Sequence, residues 1–99
     1  MILVTGSVLA RPETFDEILA ACLAHVQRSR LEPGCVAHNV HYDAENALRL
    51  VFVEEWADRA ALLTHFAVPE SRAFAKSIRA FAAEPPILKI YDATPVQFG

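Results

Sequence analysis

Leu48-Arg49-Leu50-Val51-Phe52-Val53-Glu54-Glu55-Trp56 decides the fold. Its leucine, β-branched and aromatic content predicts a strand that ends before Ala57-Asp58. Alternate side chains of a strand share a face. Leu48, Leu50, Phe52 and Trp56 therefore lie on one side, with Val51 and Val53 on the other. A strand with one wet face would alternate apolar and polar residues cleanly. This one is apolar on both faces. Near the N-terminus Ile2, Val4 and Val8 likewise oppose Leu3 and Leu9, and near the C-terminus Leu88 and Ile90 oppose Ile87 and Tyr91. One layer of helices covers one face of a sheet, so the other face needs a second sheet. A second copy of the chain supplies it most simply, which predicts a homodimer through the sheet face.

The flanking segments complete the pattern. A first strand runs over about Ile2 to Leu9. A helix follows, with Pro12 suited to its first turn and Glu13, Asp16 and Glu17 at its positive end. Phe15, Ile18, Leu19, Cys22, Leu23 and Val26 recur at three- and four-residue spacing and form its apolar stripe. His25, Arg28 and Arg30 crowd the far end, where cations are favoured. Glu32-Pro33-Gly34 stops the helix, and a second strand covers about Cys35 to Tyr42. A short polar link, Asp43-Ala44-Glu45-Asn46, makes a hairpin with the strand quoted above. Asp58 is placed to cap a helix from Arg59 to about Phe66. Pro69 interrupts it, a further helix runs from about Glu70 to Ala83, and Ile87 to Ala93 forms the last strand. The order β-α-β-β-α-β is that of a ferredoxin-like α+β sandwich with a four-stranded antiparallel sheet. Residues 1–99 read as a single domain.

Composition excludes several functions. The hydrophobic fraction is 54% and the mean hydropathy +0.24, high for so short a chain. Yet no apolar run approaches the roughly 20 residues of a membrane span, so oligomer contacts account for it better. The N-terminus lacks a basic leader and a long apolar centre, and no signal peptide is expected. Nine basic against twelve acidic residues, with no basic block, give no footprint for nucleic acid. Cys22 and Cys35 form no CxxC and have apolar neighbours; free thiols in a reducing cytoplasm are expected. Three glycines are too few for a phosphate cradle or a dinucleotide fingerprint, so flavin and nicotinamide are not expected.

The residues that carry chemistry lie around the corner from Phe52 to Phe74. His65 shares a helical face with Ala61, Leu62 and Phe66, which should point it at the sheet near Trp56. An imidazole among apolar neighbours is either a satisfied core residue or a base lining a cavity. Glu54 is in phase with Phe52 and Trp56, and a carboxylate buried there needs an arginine or a helix donor, or else it titrates upward. His38 and His41, three apart on a strand, point to opposite faces and cannot chelate one ion, so no metal is expected. His38 is the stronger site candidate of the two. Phe66, Phe74 and Phe81 read as core or as substrate walls. Ser7, mid-strand beside Thr5, is a pocket hydroxyl or an edge residue.

Glu32-Pro33-Gly34-Cys35, the run Glu54-Glu55-Trp56-Ala57-Asp58-Arg59-Ala60-Ala61-Leu62, and His65-Phe66 with Pro69 and Phe74 resemble the antibiotic biosynthesis monooxygenase (ABM) domain family. The resemblance extends over nearly the whole chain. It implies a dimeric α+β barrel, two ferredoxin-like sheets face to face. It also implies a small aromatic substrate, and for one branch a cofactor-independent oxidation of phenols to quinones. The haem-degrading branch expects an axial histidine in the helix after Phe74, where this chain has Ala75-Lys76-Ser77-Ile78. Many relatives have a histidine directly after the proline, where Glu70 follows Pro69 here. On this resemblance His65 is the expected proton acceptor, assisted by His38. Trp56, Phe66 and Phe74 wall the ring, and Asn39, Ser7 and Glu54 complete the binding site. An isomerase in the same pocket and a non-catalytic ligand-binding dimer are the alternatives.

Overall fold

A computed structural model describes residues 1–98. Strand β1 spans Ile2–Leu9, helix α1 Phe15–Ser29, β2 Cys35–Asp43 and β3 Asn46–Trp56. Helix α2 spans Arg59–Ala67, α3 Pro69–Phe81, and β4 Ile87–Asp92. The strands form one antiparallel sheet in the order β2-β3-β1-β4, with the helices on one face, which is the expected ferredoxin-like α+β fold. No helix among the described residues is long and apolar enough to cross a membrane.

Local chemistry sets the boundaries. Asp58 accepts a hydrogen bond from Ala61 N at 2.8 Å and caps α2. Val68 is extended, as a residue preceding proline prefers, and Pro69 starts α3 where its missing N–H is harmless. Pro12 and Glu13 are not in α1, which begins at Phe15. Thr14 makes no side-chain cap; its hydroxyl donates to Phe81 O at 2.9 Å and fastens the start of α1 to the end of α3. The β2–β3 link is tighter than its composition suggests, since Asp43 already pairs with Asn46.

A bulge in β2 breaks its strict alternation of faces. Cys35 pairs with Trp56 and Ala37 with Glu55, so Val36 is the extra residue and is exposed. Cys35 therefore falls on the side of His38, not of His41. Both cysteines are free, and burial pushes the Cys22 thiol up to about 12.

Gly34 is held twice over. Its φ of +82° is left-handed, and a Cβ there would meet Ala61 Cβ at 2.5 Å. Gly34 O also accepts from Ala57 N at 2.8 Å. The turn after α1 is thereby pressed onto the start of α2, which brings Glu32 to His65.

The helix-facing side of the sheet carries two apolar clusters. Val8, Leu50 and Phe52 pack with Ile18, Cys22, Val26 and Ile78, while Ile2, Val4 and Trp56 pack with Leu62. Along β3 the buried residue between Phe52 and Trp56 is Glu54. Among the described residues nothing covers the other face of the sheet: Val53, Ile87 and Tyr91 are exposed there, and Leu3, Leu9 and Val51 are half-buried. Strand β4 is exposed along its whole length, Leu88 and Ile90 included. The helices pack over β1, β2 and β3 and leave β4 as the wall of a cavity.

Candidate functional site

That cavity measures about 650 Å³, within the size range of small-molecule sites. Its floor is Gly6, Phe52 and Glu54, and its walls include Phe66, Phe74 and Ile78 on one side and Pro86 and Leu88 on the other. Gly6 pairs with Phe52 and with Leu88, so a missing side chain in mid-strand is part of what opens the floor.

Two histidines line it, His25 and His65. His65 lies where the helical phase of α2 predicts, with its ring 4.6 Å from the indole of Trp56. Its Nδ1 is 2.9 Å from Glu32 Oε1. A carboxylate only accepts, so Nδ1 carries the hydrogen, and in the neutral ring the lone pair is then on Nε2. The Glu32 carboxylate thus fixes the orientation of the His65 ring at the edge of the cavity.

His25 is the site residue that sequence reasoning missed. It is not a cation at a helix end but a ring 7% exposed, stacked on Phe74 at 3.9 Å and 6°. The spacing Ile18, Cys22, His25, Ser29 was the available signal, because it continues the buried stripe of α1. Its Nδ1 lies 2.9 Å from Arg28 Nη2. Arginine only donates, so His25 Nδ1 accepts and Nε2 carries the hydrogen. Burial, with further repulsion from His38, His65 and Arg28, lowers its pKa to about 3. His25 is therefore a neutral N–H donor at any ordinary pH. Arg28 and Glu32 pair with each other at 3.2 Å, one helical turn apart. One ion pair thus holds two adjacent imidazoles in opposite tautomers.

His38 and Glu54 face each other across β2 and β3, as the register requires. His38 is 1% exposed and sits behind the pocket histidines, 5.2 Å from His25 and 5.6 Å from His65 between ring centres. Its Nε2 approaches Glu54 Oε1 to 3.2 Å but out of line, and neither ring nitrogen has a hydrogen-bond partner. Glu54 takes its donor from Trp56 Nε1 at 3.0 Å, not from an arginine or a helix. Burial alone would raise its pKa, yet the His38 contact, the indole hydrogen bond and the charge of His65 together hold it below the usual carboxylate range.

Trp56 is fully buried beneath His65 and does not line the cavity; it positions Glu54. Phe66 and Phe74 do line it, while Phe81 is exposed. Asn39 pairs with Val53 on the uncovered face, where its Oδ1 accepts from Arg30 at 3.0 Å, and the structure does not bring it to the histidines. Ser7 borders the cavity, but strand alternation turns its side chain to the uncovered face with Leu3 and Leu9. His41 is exposed and remote from His38.

Nitrogens of His25, His38 and His65 lie within 4.8 Å of one another, close enough to ask whether they hold an ion. A metal on His25 Nε2 would force the hydrogen onto Nδ1, against the Arg28 guanidinium, and a metal on Nδ1 would displace Arg28. The tautomer of His25 supplies a donor where a metal needs a lone pair.

The buried polar layer predicts acid sensitivity. Between pH 6.5 and about 3 the unfolded chain binds a proton at His25 that the folded chain refuses. Stability therefore falls as the pH drops through this window, by about 2 kcal/mol between about pH 8 and about pH 5. Glu54 adds to the loss below the carboxylate range, since its folded form prefers to stay ionised. Thermal melts across this range should show the decline, and His25→Phe should flatten its upper part.

Comparison with known proteins agrees with the geometry. The family model described as "Antibiotic biosynthesis monooxygenase" matches residues 1–77. An uncharacterised protein of Synechocystis sp. is 31% identical over 96 residues; the match covers 97% of this chain and 65% of that protein's length. A crystal structure of an antibiotic biosynthesis monooxygenase superposes with a TM-score of 0.87 at 32% identity, over 96% of this chain and all of that one. The Rv0793 protein of Mycobacterium tuberculosis shares the fold, with a TM-score of 0.89 at 20% identity over 96% of each chain. A ferredoxin-like sheet, a pocket between it and the helices, and a sequence match over most of its length place the chain in one group: it belongs to the antibiotic biosynthesis monooxygenase family.

Proposed function

We propose that the chain is a cofactor-independent monooxygenase that oxidises a hydroxylated aromatic with O₂, acting as a dimer through its uncovered sheet face. The observation that carries this is the pairing of His65 Nδ1 with Glu32 at the edge of a largely apolar cavity large enough for a small aromatic molecule. His65 Nε2 takes the proton of the substrate hydroxyl, and the Nε2–H of His25 donates to the resulting oxyanion. The anion passes one electron to O₂. The ring radical and superoxide combine, and the peroxide takes up the proton from His65. Loss of the ring C–H proton and cleavage of the O–O bond then yield a quinone and water. Phe66 and Phe74 keep bulk water from the anion, and Phe74 fixes the plane of His25. Val53, Ile87 and Tyr91 on the uncovered face support the dimer.

A base and a neutral donor side by side also suit an isomerase, which moves protons without an oxidant. Incubation with a panel of dihydroxylated aromatics, in air and under nitrogen, separates the two. Monooxygenation predicts O₂ uptake matched by quinone formation in air and no conversion under nitrogen. Rearranged product under nitrogen supports isomerisation, and no conversion of any compound in either atmosphere counts against the oxygenase.

A further inference from the structure

Three cations stand on the cavity wall formed by α3: Arg72, Lys76 and Arg79. Their spacing, i, i+4 and i+7, puts them along one helical face over roughly 10 Å. All three are exposed, and among the described residues none makes an ion pair, whereas Arg28, Arg49 and Arg59 each do. They are a third of the nine basic residues of a chain whose net charge is −3. The cavity lining holds a single carboxylate, Glu54, which is buried on the floor and already hydrogen-bonded to Trp56. Everything between floor and cations is largely apolar. Unpaired charge of one sign on the wall of an apolar cleft raises the local concentration of counter-charged ligands and orients them on entry.

We propose that the substrate is an anion: a hydroxylated aromatic carrying a carboxylate or phosphate at the end opposite its reacting hydroxyl. The anionic group pairs with Arg72, Lys76 and Arg79 at the cavity wall. The ring lies against Phe74 and Phe66, and the hydroxyl reaches His65 and His25. Arginine holds either oxyanion group by two parallel hydrogen bonds, and lysine acts as a point charge beside it. The proposal rests on the pocket assigned above and adds the class of ligand that fills it.

Equilibrium binding of three probes tests it: a naphthol, a hydroxynaphthoic acid with its two groups at opposite ends of the ring system, and the corresponding hydroxynaphthyl phosphate. At low salt the wild-type protein should bind the anions about tenfold or more tightly than naphthol. Raising the ionic strength to about 0.3 M should erode that preference. In the triple variant Arg72→Gln, Lys76→Gln, Arg79→Gln the ratio of anion to naphthol affinity should fall to near one. These side chains are exposed on a helix surface, and circular dichroism would verify that the variant is folded. A preference for the acid over the phosphate, or the reverse, identifies which oxyanion the wall takes. Equal binding of naphthol and both anions, or a preference that survives the triple substitution, would overturn the anionic substrate while leaving the pocket intact. Failure of all three probes to bind would overturn the pocket assignment and this inference with it.

Discussion

Alanine in place of His65 lowers turnover of a pocket substrate by about 10²–10⁴-fold, the range a positioned general base contributes. The loss should fall on kcat more than on KM, since the role proposed for the ring is to take a proton rather than to hold the aromatic. His65 is also packed on Trp56, so truncation leaves a hole there. His65→Gln separates the two effects: it fills most of the volume and accepts hydrogen bonds but cannot hold a proton near neutral pH. Both variants should lose comparable turnover while differing in thermal stability. Glu32→Gln is the gentler change. An amide at 2.9 Å either accepts from Nδ1 or donates to it, so the imidazole no longer has one imposed tautomer. Steady-state kinetics of the three variants on a converted aromatic measure this. A His65→Gln protein with wild-type kcat would show that the proton leaves by another route.

Trp56→Ala lowers unfolding free energy by about 3–5 kcal/mol, the cost of a large aromatic removed from a tightly packed site. The side chain is fully buried with Ile2, Val4 and Leu62 as neighbours. The substitution also strips Glu54 of its indole donor at 3.0 Å, which leaves a carboxylate buried with only the misaligned His38 beside it. Trp56→Phe keeps most of the volume and removes only the hydrogen bond, so its effect should be smaller. Urea denaturation at neutral pH gives both values. If Trp56→Ala and Trp56→Phe cost the same, the hydrogen bond and not the packing would be the larger contribution.

Much of the fold was legible because it rests on periodicity. The two-sided strands announced an uncovered face, and Val53, Ile87 and Tyr91 are exposed on it. Asp58 and Pro69 marked helix starts through local stereochemistry that tertiary context did not override. His65 was placed correctly for the same reason, helical phase. What escaped was anything decided by contacts distant in sequence. His25 looked like a surface cation because Arg28 and Arg30 stand beside it, yet the turn of α1 that carries it faces the sheet. The acceptor for His65 was Glu32, which enters through the fit of Gly34 against Ala61, a contact no spacing rule contains. Trp56 has a wall-forming ring on the same face as Phe52 and Glu54, but His65 and Leu62 of α2 lie against it and close it off from the cavity. Asn39 stands one residue from His38, and on a strand that single step sends it to the far side of the sheet.

The Arg28–Glu32 pair has a consequence that reaches past its own few ångströms. Which imidazole gives and which receives is decided not by the rings but by the sequence order of one positive and one negative side chain at the close of α1. Exchanging these two side chains would exchange the hydrogen-bonding faces that the two rings present, with the apolar walls of the cavity left as they are. That makes chemistry easier to diversify than shape.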